Sequence, residues 1–228
     1  MRTNTTLVLV IVLLVVLGAV VVLVFGQPEA PEPSASSQPT EQSELATVAR
    51  AFNDLAQVRA FAPPSDRVGV LGGSLFVVED GALAKRLEQA LGWPLERAVE
   101  DGMTSIGGLA AAAELLIRPP KLLVVDIGRD DTSAGVPVEQ TSAAVRELVA
   151  KAVALGVKVA VIGGVGTDGN DRLATIVKSS ISPSARFVDA SPLLLDPTYR
   201  SSPTALNARG IELLGDQLAA VLLELRGA

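Results

Sequence analysis

The chain has 228 residues, a net charge of −6, no cysteine and no histidine. The negative balance argues against a nucleic-acid partner, which needs a surplus of Lys and Arg on one face. Without cysteine there are no disulfides, thiolate nucleophiles or Cys-ligated metals, and without histidine every Ser-His-Asp mechanism and His-based metal site is unavailable.

The first element is an uncharged apolar run, Leu7 to Phe25, close to the ~20 residues needed to cross the hydrocarbon core as a helix. Arg2 precedes it, and Glu29, Glu32, Glu41 and Glu44 follow. The positive-inside rule then predicts a cytoplasmic N-terminus and an extracytoplasmic remainder, in the periplasm or at the cell surface. A cleaved signal peptide is the alternative. The run is longer than an ordinary signal core, however, and Val24-Phe25-Gly26 is a poor cleavage sequence. Residues 1–26 are therefore expected to be a membrane anchor. Residues 27–43, rich in Pro, Ser, Gln and Glu, read as a tether that buries too little apolar surface to fold. Residues 44–228 form the folded domain, opening with an amphipathic lead-in helix over 44–61 that Pro63-Pro64 ends.

From Arg67 onward, short apolar runs alternate with helical patterns. Strands are expected at Arg67–Leu71, Leu95–Val99, Lys121–Ile127, Val157–Ile162 and Ala185–Asp189. Lys121–Ile127 is apolar on both faces, as parallel strands are. Helices are expected at Gly81–Leu91, Ser105–Leu116, Val138–Leu155, Asp171–Lys178 and Asn207–Leu225. Repeated strand–helix–strand units predict an α/β fold, a three-layer α/β/α sandwich around a parallel sheet of about five strands. Ligands of such sheets bind at the carboxyl ends of the strands.

Four segments at those ends resemble, in order, the blocks of the SGNH (GDSL-type) hydrolases. Leu71-Gly72-Gly73-Ser74-Leu75 stands where that family has Gly-Asp-Ser-Leu, with Gly73 replacing the aspartate and Ser74 in the nucleophile's place. Asp101-Gly102-Met103-Thr104 fits the second block, with Gly102 at the oxyanion-hole glycine. Gly128-Arg129-Asp130-Asp131 fits Gly-x-Asn-Asp, with Asp130 in place of the oxyanion asparagine. Ser202 to Gly210 fits the last block, with Ser202 where the aspartate and Ala205 where the histidine belong.

The resemblance implies the SGNH fold and a cleft around Ser74, Gly73, Asp101, Gly102, Asp130 and Asp131. The substitutions argue against the activity. A serine hydroxyl needs an adjacent base, which alanine cannot be. An ionised carboxylate in place of an amide donor opposes a developing oxyanion. The expectation is a non-catalytic binding or scaffolding domain, without cofactor, whose partners besides the membrane are an envelope glycan, an acyl-bearing ligand or another protein. Bland roles compete at each position: Ser74 as a helix cap, Asp130 and Asp131 as exposed loop carboxylates or turn caps.

Three other readings compete. An active esterase is possible if Asp130 or Asp131 replaces the missing base. Asp101, Asp130 and Asp131 offer oxygen ligands for Ca²⁺ or Mg²⁺, with no spacing that fixes a site. Gly164-Val165-Gly166-Thr167-Asp168-Gly169, with Asp189 20 residues on, fits a dinucleotide fingerprint. That fingerprint normally opens the nucleotide-binding unit, and here other strand–helix units come first.

Overall fold

The computed structural model describes residues 64–164, 185–202 and 205–227, with isolated positions 175, 178, 179 and 181. The expected anchor, tether and lead-in helix lie outside these residues, as does most of the 171–178 helix. Among the described residues, no helix is long and apolar enough to cross a membrane.

The elements in chain order are β1 (Ser65–Gly72), α1 (Ser74–Leu91), β2 (Leu95–Val99), α2 (Ser105–Leu115), β3 (Pro120–Asp126), α3 (Val138–Ala154), β4 (Lys158–Gly163), β5 (Ala185–Asp189), α4 (Ser191–Leu195), β6 (Arg200–Ser202), β7 (Ala205–Leu206) and α5 (Ala208–Gly227). The first five strands form one sheet in the order β2-β1-β3-β4-β5, every pair parallel. The expected five strands are all present: β2 and β5 match to the residue, and β1, β3 and β4 differ by a residue or two at their ends.

Alternate residues of each strand serve opposite faces. Leu122, Val124, Ala160 and Ile162 join a core with α1, α4 and α5. Leu123, Val125, Val159 and Val161 join a second core with α2 and α3. Two separate apolar cores flanking one sheet make the three-layer sandwich. Burial on both faces explains why β3 and β4 read as continuous apolar runs.

Three elements differ from expectation. The first helix begins at Ser74, not Gly81, because Leu75 and Phe76 extend the buried stripe of Leu83 and Leu87 about two turns earlier. Gly81, with φ of 73°, sits inside it and mimics a start signal. A short helix at Ser191–Leu195 is held by Asp189, whose carboxylate accepts from the Ser191 N–H at 2.9 Å. Strands β6 and β7 pair antiparallel, with Ser202 opposite Ala205.

Candidate functional site

The carboxyl ends of β1 and β3 lie side by side, since Gly72 pairs with Asp126. The Gly73 N–H donates to the Asp126 carbonyl at 3.0 Å, and Glu100 N–H at the end of β2 donates to the Gly72 carbonyl at 3.1 Å. This brings the loops after β1, β2 and β3 to one edge, where the sequence placed its candidate residues.

Ser74 is the first residue of α1. It does not cap the helix: Gly73 occupies the N-cap position and no side chain caps it. The Ser74 Oγ instead accepts a hydrogen bond from Arg129 Nη2 at 2.5 Å. Arg129 is 4% exposed, and its aliphatic stem lies beside Gly164 at the end of β4. Its Nε stands 3.9 Å from Oδ1 of Asp126, which is 3% exposed. Neither Asp126 oxygen accepts a well-formed hydrogen bond; the Leu75 N–H and the guanidinium face the carboxylate from farther off. Burial therefore pushes the Asp126 carboxyl up to about 6, against the pull of Arg129.

Asp130 lies over the start of the same helix. Its Oδ2 is 2.5 Å from where a Cβ on Gly73 would sit. The Ser74 backbone N–H interacts with this carboxylate, a placement that helix N-termini favour for anions. Partial burial raises the Asp130 carboxyl above the usual range. Arg129 opposes the rise, Asp101 adds to it, the Ser74 N–H opposes it and Asp131 adds to it. The departures at positions 73 and 130 are thus spatially linked: any side chain at 73 meets the Asp130 carboxylate.

Asp131 is neither an exposed carboxylate nor a cleft residue. It is 1% exposed and accepts from the Ser105 N–H at 2.7 Å and the Thr141 Oγ1 at 2.5 Å. It braces the first turns of α2 and α3 together, beside the Thr104 side chain that caps α2 through Gly107 N–H. Buried and already holding two donors, it presents no exposed oxygen to a substrate or a metal ion. Among the described residues, no group of three or more acidic side chains is placed to hold a metal ion.

Asp101 and Gly102 form an exposed turn after β2, with φ of 75° at Gly102. Ser202 and Ala205 face each other across the β6–β7 ribbon, and β7 packs on α1. The surviving frame around them is structural. Asn207 Oδ1 accepts from the Gly210 N–H at 3.0 Å, capping α5. A Cβ on Gly210 would collide with the Tyr199 carbonyl.

Arg129 and Asp126 were not singled out from sequence. The signal was an acidic residue closing an otherwise apolar strand, followed three positions on by an arginine. Chemically, the arrangement surrounds Ser74 with a guanidinium, which cannot accept a proton, and with carboxylates.

The dinucleotide reading fails on topology. The Gly164 segment follows β4, whereas the strand order reverses at β1, where β1 lies between β2 and β3. The Asp189 carboxylate already holds the start of α4. Residues 165–169 of that fingerprint lie outside the described ones.

No protein-family model matches the chain, and no curated protein does. Solved structures do. An esterase from Pseudoalteromonas sp. superposes with a TM-score of 0.58 at 18% identity, over 72% of this chain and 100% of that one. A protein described as lipolytic and of the G-D-S-L family, from Desulfitobacterium hafniense, gives 0.58 at 16% identity, over 69% and 99%. A family 3 carbohydrate esterase from Clostridium thermocellum gives 0.56 at 13%, over 71% and 98%. The domain has the fold of the SGNH hydrolases.

Proposed function

We propose that this protein is a membrane-anchored, extracytoplasmic SGNH-fold domain that binds or scaffolds rather than hydrolyses. One observation carries the reading: the hydroxyl and the backbone N–H of Ser74 are both engaged by side chains of the loop after β3. Arg129 donates to the hydroxyl, and the Asp130 carboxylate takes the backbone N–H. Backbone N–H groups beside a nucleophile are the kind of donor that a developing oxyanion uses in acyl transfer. Here a built-in anion holds the Ser74 N–H, and Ala205 supplies no base.

The ligand proposed for the β1–β3 edge is an acyl-bearing or glycan component of the envelope, or a partner protein. The likeness to an esterase and a carbohydrate esterase supports the first two. Leu7–Phe25 and the charge asymmetry around it support the location.

Treating the full chain with a fluorophosphonate, alongside Ser74→Ala, tests this. No Ser74-dependent labelling of protein shown to be folded is the expected result. Labelling lost in Ser74→Ala would replace this reading with an active hydrolase. The second reading needs a base, and one candidate is Asp126, whose carboxyl burial raises to about 6 and which shares Arg129 with Ser74. It requires labelling that rises through that pH and disappears in Asp126→Asn.

A further inference from the structure

At the opposite pole of the sheet, where the strands begin, lies a half-open cavity of about 620 Å³. That volume is within the range of small-molecule sites. Its walls come from the starts of β1, β3 and β4, the turn after α1 and the end of α5.

Trp93, the chain's single tryptophan, stands in the wall beside Leu122 and Leu225. Two cations flank its ring, Arg226 at 5.2 Å and Lys121 at 5.9 Å from the centroid. Arg226 is oriented by donating to the Leu91 carbonyl at 3.0 Å. Lys121 is paired with Asp66 at 2.5 Å. Lys158, the third cation of the lining, is exposed and has no acidic partner among the described residues, and neither has Arg226. A protein of net charge −6 therefore concentrates uncompensated positive charge around an apolar, aromatic hollow.

We propose that this cavity is a second binding site, for an anionic amphiphile: an acidic head group, such as a phosphate, carried on an apolar stem. Lys158 and Arg226 take the head by charge-assisted hydrogen bonds. The partly exposed Trp93 ring, packed on the buried Leu122 and Leu225, takes the stem. The head group belongs either to a bilayer lipid or to a free molecule of the same chemistry. The site is independent of Ser74 and of the function proposed there.

Trp93 emission reads the cavity directly. The full chain is placed in phosphatidylcholine nanodiscs and titrated with hexyl phosphate, inorganic phosphate or hexanol. The expected result is a saturable Trp93 shift with hexyl phosphate, at least tenfold weaker with either fragment. Lys158→Glu, folded by circular dichroism, weakens binding about tenfold or more, while Ser74→Ala leaves it unchanged. Phosphatidylglycerol nanodiscs separate the sources. A shift in those discs that Lys158→Glu abolishes assigns the site to a bilayer head group; hexyl phosphate binding without it assigns a free amphiphile. No saturable shift with hexyl phosphate, equal affinity for hexanol, or full affinity in Lys158→Glu overturns the proposal.

Discussion

Replacing Asp126 by asparagine isolates the energetic cost of the buried carboxylate beneath Ser74. The folded carboxyl titrates at about 6, against an ordinary 3.8. Between those values the folded protein holds a proton that the unfolded chain has released, so stability falls as pH rises through the interval. Displacement from 3.8 to about 6 corresponds to about 3 kcal/mol once the pH is above both. Asparagine resembles the protonated acid in shape and charge. Asp126→Asn should therefore match the wild type near pH 4 and exceed its stability by up to ~3 kcal/mol at pH 8. Urea unfolding followed by far-UV circular dichroism at pH 4, 5, 6, 7 and 8 measures the difference. Asp130 is raised too and contributes in the same direction, so Asp130→Asn is run in parallel. An Asp126→Asn curve parallel to the wild type across this range would refute the claim that Asp126 is buried as a strained anion.

Arg129→Met removes the counter-charge and should destabilise by ~3–5 kcal/mol at pH 8, less at pH 5 where Asp126 takes up a proton; the same urea series checks it. Asp131→Ala strands the Ser105 N–H and the Thr141 hydroxyl in the interior and should cost ~2–5 kcal/mol, seen as a lowered urea midpoint. Gly73→Ala should destabilise by ~1–3 kcal/mol and be largely rescued by Asp130→Ala, a coupling read from a double-mutant cycle. Ala205→His with Ser202→Asp should not restore turnover of p-nitrophenyl acetate, because Arg129 and Asp130 still hold Ser74.

The fold was legible because it rests on patterns that burial enforces. Continuous apolar runs at β3 and β4 and stripes at α3 and α5 follow from one sheet covered on both faces. The β6–β7 ribbon and α4 were not legible, since two to five residues carry no periodicity and their partners are remote. The positions of Ser74, Gly102 and Asp130 at strand ends were also legible. What each side chain does was not. Asp131 next to Asp130 read as its equal, yet one residue along the turn points it into the interior toward Ser105 and Thr141. The Arg129–Ser74 contact spans 55 positions, and no local pattern encodes an approach of that range. Gly73 read as a lost aspartate at the cleft; the structure shows that its missing side chain makes room for Asp130.

The strand order also bears on how the chain acquires its shape. The first strand lies inside the sheet, flanked by β2 and β3, and the last helix, α5, packs against α1 and against β3, β4 and β5. The core beneath α1 cannot close until α5 is present, because Leu214, Leu218 and Leu222 supply its far wall. A nascent chain emerging N-terminus first would carry the side of the core under α1 uncovered until α5 follows. Such long-range closure is slow and prone to misassociation. The domain is therefore expected to close only once α5 has been made, and a stop codon ahead of Leu214 should yield a polypeptide that degrades rather than a shortened, working protein.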